Sequence, residues 1–163
     1  MNLGIIGTGH MGGTLGGIWA QKGHKVFFGS RDVRKAAGLI RAIGENVGMG
    51  SYEEAARFGE VILLATPWWA TQEALQSCGS LAGKILIDCT NPLKQDLSGF
   101  TTTPELSGGE MVAQWAPGAR VVKAFNSISF AVFKSPNFGQ QNATMFYCGD
   151  DGPAKLTVAG LGK

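Results

Sequence analysis

Charge is scarce in this sequence. Only 16% of its 163 residues are Asp, Glu, Lys or Arg, and the formal net charge is +2. A general nucleic-acid surface needs a large excess of cations, so that class is excluded, while a local basic pocket is not. Long apolar runs are also missing. The stretch VILLA, Val61–Ala65, is far too short to cross a bilayer. The opening MNLGIIGTGHMGG has no basic segment ahead of its apolar residues, so it is not read as a signal peptide. The three cysteines, Cys78, Cys89 and Cys148, make no CxxC and no Cys/His spacing, and no metal site is expected. They are expected to be reduced thiols acting as small apolar residues in a cytoplasmic protein. There are only two histidines, and neither has an acidic neighbour in sequence. No Ser/His/Asp triad or catalytic carboxylate pair is suggested, and no residue is assigned a catalytic role.

What is present is apolar content, 44%, and glycine, 25 residues placed mostly singly at turn-like positions. Strand and helix signals alternate along the chain. NLGIIG, KVFFG, NVGM, EVILLAT, KILIDCTNP, RVVKAFN and ATMFYCGDD read as strands. Between them, HMGGTLGGIWAQKG, Asp32 to about Ile43, SYEEAARFG, PWWATQEALQSC and ELSGGEMVAQWAPG read as helices. SISFAVFK is a further short helix. Ser51 and Glu54 have capping-box spacing, and Pro67 sits in a first turn. Residues 92–104 read as a loop. Asp150 and Asp151 are expected to cap a terminal helix starting at about Pro153, which would be marginal without tertiary cover. The alternation predicts an α/β fold, a Rossmann-type doubly wound, mainly parallel sheet with helices on both faces. Residues 1–163 read as a single domain.

Gly7-Thr8-Gly9-His10-Met11-Gly12 matches GxGxxG. It follows a strand and opens a helix in the first βαβ unit, the context in which this motif holds a dinucleotide. Gly7 permits the tight turn, Gly9 lets a pyrophosphate approach, and Gly12 lets the helix lie close to the sheet. The helix N-terminus offers N–H groups and a positive dipole end to the phosphates. Ser30 falls 18 residues past Gly12, near the place where a ribose-binding acid usually stands. Here the strand exit carries Ser30, Arg31, Arg34 and Lys35 instead. A hydroxyl and a planar guanidinium suit a 2′-phosphate, so the cofactor is read as NADP in preference to NAD. Asp32 is read as the cap of the second helix.

Ligands of such sheets lie beyond the carboxyl ends of the strands. The exit sequences there place Thr66 and Pro67, then Thr90, Asn91 and Pro92, then Lys123, Ala124, Phe125 and Asn126. In order, GIIGTGHMGGTLG, GSRD, TPW, DCTNPL, VVKAFN and CGDD resemble the NADP oxidoreductases that use the deazaflavin coenzyme F-420. The resemblance implies hydride transfer between NADPH and a deazaflavin or flavin-like acceptor. It puts Thr8, His10 and Met11 on the phosphate loop and Ser30 and Arg31 on the 2′-phosphate. It puts Thr66, Pro67 and Asn91 along the cofactor and Ala124, Phe125 and Asn126 by the nicotinamide. Family members often carry asparagine where this chain has His10, and they continue past the CGDD strand, so the family's C-terminal extension is expected to be absent. Two alternatives stand beside hydride transfer to a deazaflavin: an NADP-binding module without turnover, and a reductase of a small imine or carbonyl. Self-association through Trp68, Trp69 and Trp115, giving a homodimer, is a further expectation. No nucleic-acid or membrane partner is expected.

Overall fold

Consecutive residues of the central strands alternate between two packed faces, which is why they read as unbroken apolar runs. The structure is a computed structural model. It describes the backbone of residues 1–163 and all side chains except those of Val33, Lys35 and Ala36. Strands β1 (Asn2–Ile6), β2 (Lys25–Gly29), β3 (Val47–Gly50), β4 (Val61–Leu64), β5 (Ile85–Asp88) and β6 (Arg120–Ala124) lie in the order 3-2-1-4-5-6. All pairs among them are parallel. Leu3, Ile5, Leu63 and Ile87 point to one face, and Ile6, Ile62, Leu64 and Leu86 to the other.

Helices α1 (His10–Gln21), α2 (Val33–Ile43), α3 (Tyr52–Phe58), α4 (Thr71–Gln76), α5 (Gly108–Trp115) and α6 (Phe130–Phe133) follow the strands. A 3₁₀ turn, Trp68–Ala70, precedes α4. Leu15 and Trp19 of α1 join the first face, and Ala55, Leu75 and Val112 of α3, α4 and α5 join the second. The capping box expected at Ser51 is present, and Ser107 and Glu110 make a second one at α5. The Rossmann-type α/β fold read from the sequence is the fold observed.

The C-terminal third departs from the expectation in detail. Residues 137–142 form a small hairpin of β7 (Asn137–Phe138) and β8 (Gln141–Asn142), which no sequence signal had separated from its loop. The seventh strand shrinks to β9 (Tyr147–Cys148) and joins the edge of the sheet antiparallel to β6. The final helix, α7 (Gly152–Leu161), starts where Asp151 accepts a hydrogen bond from the Ala154 N–H at 2.8 Å. It has the cover a short helix needs. Ala154, Val158 and Leu161 are buried, and the Trp19 indole N–H donates to the Leu161 carbonyl at 2.9 Å. The tryptophan surface is smaller than expected. Trp68 is buried and packs on half-buried Trp115 with ring centroids 5.1 Å apart, so only Trp69 of the three is exposed.

Candidate functional site at the carboxyl edge of the sheet

The turn between β1 and α1 forms because Gly7 has φ of +110°, which side chains rarely adopt. A Cβ there would also stand 2.5 Å from the Ala65 carbonyl oxygen of the neighbouring strand exit. A Cβ on Gly12 would collide with the Gly7 carbonyl oxygen. Gly9 differs: among the described residues, no heavy atom lies within 4 Å of where its Cβ would be. Gly9 is the N-cap of α1, and the first intrahelical bond runs from Gly13 N–H to the Gly9 carbonyl at 2.8 Å. The N–H groups of His10, Met11 and Gly12 precede that bond and stand at the positive dipole end of α1. This is an anion cradle of the kind that holds phosphates. A groove of about 800 Å³ begins here at Thr8, Gly9 and His10 and runs along α1 towards Ile43 and Phe133.

The end of β2 comes close to this turn, with Gly7 N–H donating to the Gly29 carbonyl at 3.2 Å. Beyond it, the Ser30 hydroxyl donates to the Asp32 carbonyl at 3.0 Å and accepts from the Asp32 N–H at 3.2 Å. Its proton is therefore used locally. Arg31 and Arg34 are exposed. Asp32 accepts from the Arg34 N–H at 3.1 Å, as a cap of α2 does, and lies 3.9 Å from the Arg34 side chain. The Lys35 side chain lies outside the described residues.

Three strand exits form the other flank. Buried Thr66 is bonded to Thr71, their hydroxyl oxygens 3.0 Å apart, and Thr71 donates onward to the Pro67 carbonyl at 3.1 Å. Thr66 must therefore be the donor in that pair. Asp88, at the end of β5, is fully buried. It accepts from the Thr90 N–H at 2.9 Å, the Thr90 hydroxyl at 2.6 Å and the Lys123 ammonium at 2.9 Å. These bonds hold the exit turn and tie the end of β5 to β6. The turn presents Asn91 to Asn126, 35 residues away, through a reciprocal pair of hydrogen bonds of 3.0 and 3.2 Å. Ala124 is fully buried and sets the position of Phe125, whose φ of +66° turns the chain sharply before Asn126. Met11 is half-buried against the core and Pro67 is exposed.

The fold thus gathers the described sequence candidates along one edge, as a glycine turn, a basic strand exit and a polar amide pair. Two further residues belong with them. Phe130 stacks on His10, with centroids 4.5 Å apart and planes 12° from parallel, and bridges the glycine loop to the start of α6. Tyr52 lies beside Arg31. No spacing in the sequence points to Phe130. The register of two strand ends would have found Tyr52.

The family model described as NADP oxidoreductase, coenzyme F420-dependent, matches residues 2–92, more than half of the chain. The chain belongs to this family. The F420-dependent NADP reductase of Methanothermobacter marburgensis is 33% identical over 79% of this chain and 64% of its own. The rat protein metalloreductase STEAP3 is 32% identical over 99% of this chain and 31% of its own. The chain therefore spans less than two thirds of the curated relatives it matches. A crystal structure from Arthrobacter sp. FB24, assigned as an F420-dependent NADP reductase, superposes with a TM-score of 0.89. It is 30% identical and covers 99% of this chain and 79% of its own. The family's cofactor is NADP, and the glycine loop and the Arg31 exit both lie within the F420-dependent family match.

Proposed function

We propose that this chain binds NADP(H) along the carboxyl edge of its sheet and serves hydride transfer to a deazaflavin or flavin-like acceptor. The observation that carries the reading is the pairing of an open glycine cradle with a basic strand exit, in which Ser30 and Arg31 stand where a ribose-binding acid would. The residues fit the cofactor. The cradle at Gly9 has room for a pyrophosphate, and the N–H groups of His10, Met11 and Gly12 would hold it. Arg31, supported by Arg34 and Lys35, would meet the 2′-phosphate, since Ser30 spends its proton on Asp32. Thr66, Pro67 and Asn91 would flank the middle of the cofactor, and Asn126 would flank its nicotinamide end. When bound, NADPH supplies the hydride. The chain's own work is to orient that end and exclude water, so it needs few acid–base groups. Locked strand exits suit that work. The Asp88–Lys123–Thr90 network fixes the β5 exit, and the Asn91–Asn126 pair ties it to β6. Residues 1–163 act as one cofactor-binding unit in this reading, with a cytoplasmic place.

The end-to-end match to under a third of a metalloreductase favours a second reading, in which this unit supplies reducing equivalents to an acceptor held outside residues 1–163.

Binding and turnover test both. Arg31→Asp should weaken NADPH binding roughly 10- to 100-fold, the value of a charge-assisted hydrogen bond, and leave NADH binding within about twofold. Equal affinity of the wild-type protein for NADPH and NADH contradicts the cofactor assignment. Loss of NADPH absorbance with a deazaflavin or flavin supports the first reading. Tight NADPH binding without oxidation by deazaflavin, flavin or ferric chelate supports the second.

A further inference from the structure

Strands β2 and β3 are in register so that Gly29 faces Gly50. The pairing continues one link past the strand ends, with Ser30 N–H donating to the Gly50 carbonyl at 2.9 Å. Arg31 and Tyr52 each stand two residues beyond the paired glycines, one ahead of α2 and the other opening α3. Parallel register therefore sets the two side by side, although they are 21 positions apart in sequence.

The tyrosine is held firmly. A Cβ on Gly29 would stand 3.0 Å from Tyr52 Cδ1, so the ring lies directly over the end of β2. Its helix starts at a fixed point, because Ser51 N–H donates to Glu54 at 2.7 Å and Glu54 N–H donates to Ser51 at 3.1 Å. The ring is half-buried against the apolar cluster beneath α3. Arg31 is exposed, and the charge of its guanidinium favours the ionised phenol. Burial acts more strongly in the opposite sense and keeps the phenol above its ordinary value of 10.0, hence neutral.

We propose that Tyr52 is a specificity-determining positioning residue, whose hydroxyl orients Arg31 towards the 2′-phosphate of the bound nucleotide. This rests on the NADP reading above. An exposed arginine samples many rotamers, and one anchored nitrogen removes most of them while leaving the other N–H groups of the fork free to bond. A neutral phenol does this without placing an anion beside the incoming phosphate. A carboxylate at the same place would compete for the guanidinium.

Calorimetric titration with 2′,5′-ADP and with ADP tests the proposal on the wild type, Tyr52→Phe, Arg31→Ala and the double variant. Tyr52→Phe is expected to weaken 2′,5′-ADP binding about three- to tenfold and ADP binding less than twofold. The double variant is expected to bind 2′,5′-ADP no more weakly than Arg31→Ala alone, since the tyrosine acts through the arginine. Equal weakening of both nucleotides, additive losses in the double variant, or an unchanged 2′,5′-ADP affinity overturns the proposal. A wild type that does not distinguish the two nucleotides overturns the NADP reading and this inference with it. A preference that is undiminished in Tyr52→Phe overturns this inference alone. If Tyr52→Phe does not fold, Tyr52→Leu must show the same selective loss.

Discussion

Gly9 and Gly12 lie three residues apart in one loop and answer to different constraints. Gly12 is required by the protein itself, because any Cβ would meet the Gly7 carbonyl. Gly9 has normal backbone angles, φ of −73°, and open space around it, so only a ligand would object to a side chain there. The two substitutions should therefore separate cleanly. Gly12→Ala is expected to cost about 1–3 kcal/mol of stability by overpacking, read as a lower urea midpoint. Gly9→Val is expected to change stability by less than about 0.5 kcal/mol and to abolish detectable NADPH binding. A Gly9→Val protein that binds NADPH normally would remove the phosphate loop from the site. At this scale the sequence was legible for Gly7 and Gly12, whose conformational and packing needs follow from their own chemistry. It was silent on Phe130, and Tyr52 comes into view only once the β2–β3 register is known, because what sets both apart is which residue they stand beside.

Helix α7 shows how an element acquires stability that its own sequence does not supply. It runs only ten residues, and helices of that length are marginal alone. Burial of Ala154, Val158 and Leu161, with the Trp19–Leu161 hydrogen bond, ties it to the face that α1 and β6 also cover. Leu161→Ala should cost about 2–5 kcal/mol. It should also red-shift the emission of Trp19, which α7 shields from water. A loss of stability without any change in tryptophan emission would contradict the docking. The terminal helix and its acidic cap could be read from Asp151 and Pro153. The hairpin at 137–142 and the brevity of β9 could not, because a two-residue strand has no periodicity to detect.

The pH response belongs to the whole molecule, since it compares folded and unfolded chains. Burial pushes the Cys78 and Cys89 thiols from 9.0 up to about 12. The unfolded chain would release these protons first, so stability is full below about pH 9 and falls as pH climbs towards 12. At the acid end, hydrogen bonds from Ser51 and Ser107 hold Glu54 and Glu110 below the ordinary 4.5. The unfolded chain takes up protons first there, so that contribution is present above 4.5 and is lost as pH falls through the folded values. Burial likewise holds the His24 imidazole below its ordinary 6.5, so urea midpoints should form a plateau between about pH 7 and 9 and decline on both sides. A midpoint still rising from pH 9 to 11 would contradict the buried thiols. Iodoacetamide at about pH 8 should label exposed Cys148 in the folded protein and spare the other two.

Periodicity, glycine placement and strand-exit chemistry by themselves determined the doubly wound fold, the glycine turn between β1 and α1 and the basic exit after β2. Those features are local, and each is written within a few neighbouring residues. Tertiary structure alone decided which exits meet. It paired Asn91 with Asn126, buried Asp88 against Lys123, set His10 on Phe130 and brought Tyr52 beside Arg31. The physical reason is register. Parallel strands align residues far apart in the chain, and only the packed sheet fixes which ones stand opposite each other.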